Sequence, residues 1–264
     1  MRRHLHIVAC SPRSGTTLLH EVMITCFEHA THYDHEVRFN RVALDGEGIL
    51  ITKRPKDVHC MLPLLQQIDE FAVIFVLRDP RDVIVSRHGK DTSRYYSNVR
   101  LWNEMYEAAF RLRGQKNFIE LKYEDFVREP DRIQQVIMKR FPWLKKKYAF
   151  SDYHEHAQVS EASARAMHGA RPIDSGSVGV WTDHCGRIKG QQMIHGSLTP
   201  RLVECGYESN GDWERRLSDV GPDLAPSYYP ERKGALAVMT QRLSQAIKIR
   251  RYLTHWKRTQ RHDV

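Results

Sequence analysis

The residues best suited to chemistry lie in one short polar turn near the start of the chain. This turn, residues 11–17 (SPRSGTT), stands between an apolar run at residues 5–10 and helical spacing at residues 18–27. Backbone N–H groups of such a turn, together with the N-terminus of the helix, form a site for anions. Hydroxyl groups and an arginine add donors suited to phosphate or sulfate. The candidate binding residues are Pro12, Arg13, Ser14, Gly15, Thr16 and Thr17.

The turn departs at two positions from the nucleotide-binding pattern G-x-x-x-x-G-K-[ST]. Gly15 and Thr17 match that pattern, but Cys10 replaces its first glycine and Thr16 replaces its lysine. The lysine reaches the β- and γ-phosphates in ATP-using enzymes, so its replacement disfavours a kinase or an ATPase. On this segment alone, an ordinary helix N-cap turn with a solvated arginine is the alternative.

A second motif follows the most apolar segment of the chain. Residues 75–87 (FVLRDPRDVIVSR) contain a strand end, an arginine, an acidic turn and a serine placed in the next helix. Together with SPRSGTTLL, this motif resembles the sulfotransferases that use 3′-phosphoadenosine 5′-phosphosulfate (PAPS). The resemblance implies that the first turn holds the 5′-phosphosulfate and that Arg78 and Ser86 bind the 3′-phosphate. An ion-paired helix start is the alternative for the second motif.

Two shorter segments extend the resemblance to about residues 5–207. Residues 121–126 (LKYEDF) are similar to the family's Y-E-D-[LF] segment, whose tyrosine, here Tyr123, lies near the adenine. Residues 175–181 (SGSVGVW) resemble a loop of bacterial members that closes over the nucleotide. This second likeness implicates Ser177 and Trp181 in binding the donor.

The resemblance implies transfer of a sulfuryl group from PAPS to a hydroxyl, with 3′,5′-adenosine bisphosphate (PAP) as the product. Such a transfer proceeds by in-line attack and spreads negative charge over the equatorial oxygens and the leaving phosphate. Arg13 is one predicted catalytic cation. Lys53 is the second, because it follows the strand predicted at residues 48–52, at whose end many family members carry a lysine. We expect no metal, since these fixed cations take the place of Mg²⁺.

The catalytic base is predicted from a weaker likeness. Family members with a K-T-H segment use its histidine, but Pro55 occupies that position here. Residues 35–38 (HEVR) resemble the E-T-R element of tyrosylprotein sulfotransferases, whose glutamate is the base. Glu36 is therefore the predicted base and His35 the second choice, with a surface loop carboxylate as the alternative.

The elements that position these residues alternate between strands and helices. Strands are predicted at residues 5–10, 48–52, 71–77 and 117–122, and helices at 18–27, 61–68, 81–87, 99–112 and 130–141. Residues 71–77 (FAVIFVL) are apolar throughout, as in a central strand covered on both faces. The alternation predicts an α/β fold with a doubly wound parallel sheet flanked by helices and a P-loop architecture. Residues 155–190 lose this periodicity and are predicted to form loops and short helices.

The positive charge of the chain is concentrated at its end. The net charge of +9 favours acidic partners, and residues 234–264 carry seven Lys or Arg against one acid. We predict a sulfotransferase domain at residues 1–220 and a linker with a basic C-terminal helix at residues 221–264. That helix could lie on an anionic membrane or hold an acidic acceptor, or it could pack its apolar stripe on the domain. The stripe comprises Leu236, Met239, Leu243, Ile247 and Leu253.

Composition also limits the location and the class of the protein. The longest apolar run is far shorter than the roughly 20 residues of a membrane-spanning helix, and no secretory signal is predicted. Five scattered cysteines without a C-x-x-C pair favour a reducing compartment. We therefore expect a cytoplasmic protein, with peripheral contact at the inner membrane surface as a further hypothesis.

The acceptor is expected to be a hydroxyl of a carbohydrate, a glycolipid or a small metabolite, and no nucleic-acid partner is expected. Specificity in such a fold lies in variable loops, which composition does not decode. Two other functions stay open. One is a small-molecule kinase that uses ATP, and the other is a non-catalytic binder of nucleotides or polyanions that kept these loops and lost the base.

Overall fold

The computed structural model of the chain describes residues 1–87, 89, 91–167 and 169–259. Arg261 and Asp263, which belong to the predicted basic tail, lie outside the described residues. Within the described ranges, no helix is both long enough and apolar enough to cross a membrane.

A parallel sheet forms the centre of the fold. In the described part of the chain its strands are β1 (Arg2–Ala9), β2 (Thr31–His32), β3 (Gly48–Lys53), β4 (Phe71–Leu77) and β5 (Phe118–Lys122). Their order is β2-β3-β1-β4-β5, and every neighbouring pair is parallel. The chain winds from β1 to one edge and then to the other, which confirms the predicted doubly wound α/β fold. β4 has the predicted bounds, whereas the two-residue β2 was not predicted.

Helices cover the sheet, and most of them lie where the apolar spacing predicts them. The predicted helix at residues 81–87 is an exception because it ends at Ile84, so that Ser86 lies beyond it. Another helix begins at Cys185, inside the segment predicted to be loop-like. The helices are α1 (Thr16–Cys26), α2 (Met61–Gln67), α3 (Pro80–Ile84), α4 (Val99–Phe110), α5 (Tyr123–Arg128), α6 (Pro130–Arg140), α7 (Tyr153–His156), α8 (Glu161–Met167), α9 (Cys185–His195), α10 (Thr199–Glu204) and α11 (Ala235–Thr259).

The two faces of β4 belong to two separate parts of the core. Phe71, Val73 and Phe75 point to one face and pack with α2, α4 and α11, whereas Ala72 and Ile74 point to the other face and pack with α1, α5 and α6. This follows from the alternation of side chains along a strand. Each fully buried phenylalanine or isoleucine contributes about 1.5–3 kcal/mol relative to an exposed one. Burial on both faces thus stabilises the sheet, which fixes the position of the loops that follow its strands.

The C-terminal helix α11 contacts the domain through its final turns. Tyr252 and Trp256 are buried in the core, and the Tyr252 hydroxyl is hydrogen-bonded to His4 Nδ1 at 2.7 Å. Most of the predicted stripe lies elsewhere, so the alternative in which the whole stripe packs on the domain is wrong. Its exposed members are Leu236 at 70%, Met239 at 63%, Leu243 at 63% and Ile247 at 45%.

Candidate active site

The predicted site residues converge on one edge of the sheet. The carboxyl ends of parallel strands meet at that edge, which is where ligands bind in open α/β sheets. β1 leads into residues 11–17, and β3 ends at Lys53. β4 leads directly into Arg78, and β5 leads into Tyr123 at the start of α5. Segments far apart in the sequence therefore come together because of the strand order.

The turn at residues 11–17, which we call the phosphate loop after its predicted ligand, contains two residues with a positive φ. Arg13 has a φ of 75°, the one positive φ of a non-glycine residue in the described ranges, and Gly15 has a φ of 82°. Such a conformation is costly for a residue with a side chain and recurs at functional sites. A Cβ at Gly15 would also lie 2.4 Å from the ring of Tyr123. Only glycine fits this position, and α1 begins immediately after it at Thr16.

Arg78 connects three parts of the site. Its side chain is 7% exposed and donates from Nη1 to the Arg13 carbonyl at 2.9 Å and from Nη2 to the Ser177 carbonyl at 2.5 Å. The guanidinium carbon lies 4.2 Å from the centroid of the Tyr123 ring. Nε is buried and has no partner within the described structure. The arginine thus holds the phosphate loop and the 175–181 loop together and retains unused donors.

The two carboxylates of the acidic turn after Arg78 accept hydrogen bonds that fix neighbouring segments. Asp82 accepts hydrogen bonds from the backbone N–H groups of Gly179 at 2.8 Å and Trp181 at 3.0 Å. Asp79 is bound to the backbone N–H and the side chain of Arg81. The alternative of an ion-paired helix start is therefore correct for Asp79. In contrast, Asp82 tethers the loop that contains Ser177.

Most of the predicted site residues line one open cavity of about 390 Å³. Ser14 lies behind its wall, where its hydroxyl is hydrogen-bonded to Cys10 Sγ at 3.2 Å. Trp181 also lies away from the wall and packs against Arg81, 4.1 Å from the ring centroid to the guanidinium carbon. We call this space the active-site cavity; the predicted residues that line it are Pro12, Arg13, Gly15, Thr16, Thr17, Glu36, Arg78, Ser86, Tyr123 and Ser177.

Lys53 and Glu36 stand beside the phosphate loop. Lys53 is 3% exposed, and its Nζ donates to the Thr17 hydroxyl at 2.6 Å. Burial lowers the pKa of Lys53, while the negative charges of Glu36 and Glu21 oppose that shift. Glu36 is exposed and reaches the active-site cavity from the segment before β3, whereas His35 is exposed and does not line it. Glu36 and Lys53, two of the three predicted catalytic residues, are therefore close enough to interact electrostatically.

Sequence reasoning missed one wall of the cavity. α8 is fastened to α1 by a hydrogen bond from the Ser163 hydroxyl to Glu21 Oε1 at 2.6 Å. Beyond α8, Arg171 and Ile173 line the cavity, and Tyr96 and Tyr153 line it from other segments. Residues 155–174 lack an apolar period, so no pattern in the sequence indicated that they approach the phosphate loop.

Histidine, cysteine and carboxylate side chains are the groups that could ligate a metal ion. In the described ranges, no group of three or more His, Cys, Asp or Glu side chains has a geometry that could hold a metal ion. His29 Nε2 and His32 Nδ1 are 2.9 Å apart and hydrogen-bonded to each other. These two neighbouring histidines therefore pair with each other.

Comparison with known proteins identifies one family for part of the chain. Residues 24–142 match the model of the Sulfotransferase family, a range that includes Glu36, Lys53, Arg78, Ser86 and Tyr123. The match begins after the phosphate loop and ends before the 175–181 loop. A search of curated proteins found no match to the sequence.

Several solved structures resemble the chain. The sulfotransferase domain from the curacin biosynthetic pathway is 12% identical, with a TM-score of 0.40 over 70% of this chain and 97% of that one. The sulfotransferase domain of the Synechococcus PCC 7002 olefin synthase is 15% identical, with a TM-score of 0.47 over 69% and 87%. Retinol dehydratase in complex with androsterone and the inactive cofactor PAP is 16% identical, with a TM-score of 0.40 over 87% and 83%.

The family match covers Lys53, Arg78, Ser86 and Tyr123. The last three line the active-site cavity, and Lys53 is hydrogen-bonded to Thr17 beside it. Over residues 24–142, somewhat less than half of its length, the chain matches the sulfotransferase family of enzymes.

Proposed function

We propose that this enzyme transfers a sulfuryl group from PAPS to a hydroxyl acceptor in the active-site cavity. The observation that carries this proposal is the position of Arg78, which bridges the phosphate loop and the 175–181 loop. Ser86 lines the same cavity beside it. A guanidinium and a hydroxyl in the same cavity as the phosphate loop suit a nucleotide that carries a second phosphate.

The donor is proposed to lie along the wall formed by the two loops. Its 5′-phosphosulfate would be held by the backbone N–H groups at the start of α1 and by the exposed guanidinium of Arg13. Its 3′-phosphate would be bound by Ser86 and by the donors of Arg78 that the two carbonyls leave unused. The contact of Tyr123 with adenine and the roles of Ser177 and Trp181 stay predictions.

The proposed reaction is a single in-line displacement. The acceptor oxygen forms a bond to sulfur while the bond from sulfur to the 5′-phosphate oxygen breaks, and that oxygen keeps the electron pair as PAP leaves. The acceptor proton passes to the Glu36 carboxylate. Lys53 and Arg13 stabilise the negative charge on the sulfuryl and leaving oxygens, as preorganised cations do in phosphoryl transfer.

A kinase reaction is less well supported by the geometry. Thr16 occupies the position of the ATP-binding lysine, and the Asp79 carboxylate after β4 accepts four hydrogen bonds from Arg81. That carboxylate is therefore not free to hold a nucleotide-bound Mg²⁺. A non-catalytic binder would also need to leave Glu36 unused, although this residue reaches the cavity.

Calorimetric titration with PAP and with ATP, each with and without Mg²⁺, tests the donor. We expect PAP to bind without Mg²⁺ and at least tenfold more tightly than ATP. Incubation with radiolabelled PAPS and an acceptor extract then tests turnover. A preference for ATP would refute the proposed donor, and tight PAP binding without turnover would favour a non-catalytic protein.

Glu36→Gln tests the base. The amide cannot accept the proton, so we expect turnover to fall by about 10²–10⁴-fold while the affinity for PAP stays unchanged. His35→Gln is the matched control, because the neighbouring His35 is exposed and does not line the cavity. Near-normal turnover of Glu36→Gln would remove Glu36 from the mechanism, and loss of turnover only in His35→Gln would transfer the role to His35.

The exposed stripe of α11 supports a peripheral contact with an anionic membrane. Leu236, Met239, Leu243 and Ile247 point to solvent, and the exposed Arg250, Arg251 and Arg258 continue the same helix. Apolar residues beside basic ones are typical of helices that lie in a membrane interface. The charge of the helix thus favours an anionic lipid surface as its partner.

Sedimentation with phosphatidylcholine vesicles, with and without phosphatidylserine, tests this contact. We expect binding only to the anionic vesicles, and we expect Leu243→Ser to weaken it. Val136→Ser on α6 is the matched control because Val136 is also an exposed apolar residue on a helix. Absence of wild-type binding to the anionic vesicles would refute the membrane contact.

A further inference from the structure

A second cavity, of about 270 Å³, lies between the 3₁₀ helix Pro55–Cys60, α4 and α11. The described residues around it include five Lys or Arg side chains, the imidazole of His59 and one carboxylate, that of Asp57. We call it the basic cavity; its cations are Arg54, Lys56, Arg100, Lys233 and Lys248. The helix α11 supplies Lys248 from the face opposite its exposed stripe.

Two carboxylates neutralise only part of this charge. Asp57 is bound by Arg54 Nη1 at 2.9 Å and by the Phe39 backbone N–H at 3.0 Å. Glu104, behind the wall, is shared by Arg100 at 2.6 Å and Lys233 at 2.7 Å. Five cations thus face two carboxylates.

Several donors of the basic cavity stay unused. Lys248 has neither a hydrogen bond nor an ion pair in the described structure, and Arg100 Nη2 is buried without a partner. Lys56 contacts no carboxylate within the described ranges, and its Nζ lies 4.5 Å from the centroid of the Tyr229 ring. A cavity with an excess of cations and a buried unsatisfied donor is suited to an anion.

The basic cavity adjoins the active-site cavity. Tyr229 lines the basic cavity and its ring centroid lies 5.9 Å from that of Tyr96, which lines the active-site cavity together with Glu36. The charge of Glu36 also reaches Lys56, where it opposes the lowering of the lysine pKa by burial. An acceptor with its hydroxyl at Glu36 can therefore extend past the two tyrosines towards Lys56.

We propose that the basic cavity binds an anionic group, a phosphate, sulfate or carboxylate, that is carried by the acceptor. This inference rests on the proposed function, because it places the reacting hydroxyl of the same molecule at Glu36. The two tyrosines provide flat, partly apolar surfaces for the part of the acceptor between the hydroxyl and the anion. The acceptor would then be an acidic molecule rather than a neutral alcohol.

Sulfate binding tests the anion site directly. The protein is saturated with PAP, which occupies the phosphate loop, and sodium sulfate is titrated by calorimetry while chloride keeps the ionic strength constant. We expect one further sulfate per chain, bound roughly tenfold or more weakly in Lys248→Met because a charged donor is lost. Lys139→Met is the control, since Lys139 is exposed on α6 on the opposite face of the sheet. Absence of this binding, or equal binding by Lys248→Met, would overturn the anion site.

Transfer from radiolabelled PAPS distinguishes an acceptor group from a separate anion. An acceptor extract is first divided on an anion exchanger into retained acidic molecules and unretained neutral ones. We expect label in the retained fraction, and we expect Lys248→Met to reduce it at least tenfold at subsaturating acceptor while PAP binding stays unchanged. Labelling of neutral molecules alone would overturn the acceptor assignment. Absence of PAP binding would instead refute the proposed function. The anion site would then be decided by titrating sulfate without PAP, where Lys248→Met should bind one sulfate fewer than the wild type and Lys139→Met should not.

Discussion

Replacing Arg78 by lysine is the most informative single change in this molecule. The substitution keeps one positive charge but exchanges a planar group with five donors for a single ammonium group. In the wild-type protein the guanidinium spans the Arg13 and Ser177 carbonyls and covers the ring of Tyr123. We therefore expect Arg78→Lys to separate the charge of this residue from its geometry.

The magnitude follows from the contacts that are lost. A hydrogen bond from a charged donor contributes about 1.5–3 kcal/mol, and we expect lysine to lose one of the two. A cation–π contact contributes about 0.5–2 kcal/mol, of which the ammonium group retains a part. The free energy of unfolding should therefore fall by roughly 2–4 kcal/mol. Loss of planar recognition of the 3′-phosphate should weaken PAP binding by roughly ten- to a hundredfold.

Two assays check this prediction. Urea denaturation measures the free energy of unfolding, and calorimetry compares PAP with adenosine 5′-phosphate, which lacks the 3′-phosphate. The affinity for adenosine 5′-phosphate should change less than the affinity for PAP. Arg132→Lys is the matched control, because Arg132 forms an exposed ion pair with Glu129 and such pairs contribute only about 0–1 kcal/mol.

Either result can refute part of the reasoning. If folded Arg78→Lys discriminates between the two nucleotides as the wild type does, Arg78 does not bind the 3′-phosphate. If its free energy of unfolding equals that of Arg132→Lys, the bridge between the two loops does not stabilise the fold.

Three further changes probe the loop, the basic cavity and the C-terminal helix. Gly15→Ala should lower the free energy of unfolding by about 1–2 kcal/mol because of the positive φ at this position, and it should lower the affinity for PAP because the added Cβ displaces the Tyr123 ring. In calorimetry, the double variant Gly15→Ala/Tyr123→Ala should therefore lose less PAP affinity than the sum of the two single losses. Additive losses would contradict this contact. Burial lowers the pKa of His59 to about 4, so its contribution to the free energy of unfolding is present above pH 6.5 and lost as pH falls through 4. From pH 7 to 4, urea denaturation should show that His59→Gln loses about 2–3 kcal/mol less than the wild type; parallel losses would refute this. Tyr252→Phe leaves His4 Nδ1 without its partner and should cost about 1–3 kcal/mol by the same assay; an unchanged value would mean that this bond does not hold α11.

The Cys10 thiol occupies the position of the first glycine in ATP-binding loops. Burial raises its pKa to about 12, and the thiol is hydrogen-bonded to Ser14. It is therefore a small, neutral packing group where ATP-binding loops have glycine. Its side chain faces the protein interior, which explains why the loop tolerates this replacement.

Local patterns in the sequence determined the architecture and indicated the polar loops at the edge of the sheet. A short apolar run rich in β-branched and aromatic residues, such as residues 71–77, is typical of a strand buried on both faces, and β4 has the predicted bounds. The polar turn before α1 and the arginine after β4 are each encoded within a few residues. Such features depend on hydrogen-bonding and burial requirements that neighbouring residues already express.

The tertiary structure alone decided which distant residues meet. The sequence placed Ser14 and Trp181 among the binding residues, but packing turns the first towards Cys10 and the second towards Arg81. The apolar spacing of α11 indicated a packed stripe, yet the burial of Tyr252 leaves Leu243 in solvent. Side-chain direction depends on the partners that the fold supplies. For that reason the sequence indicated a phosphate loop, while only the fold brought Glu36 and the basic cavity beside it.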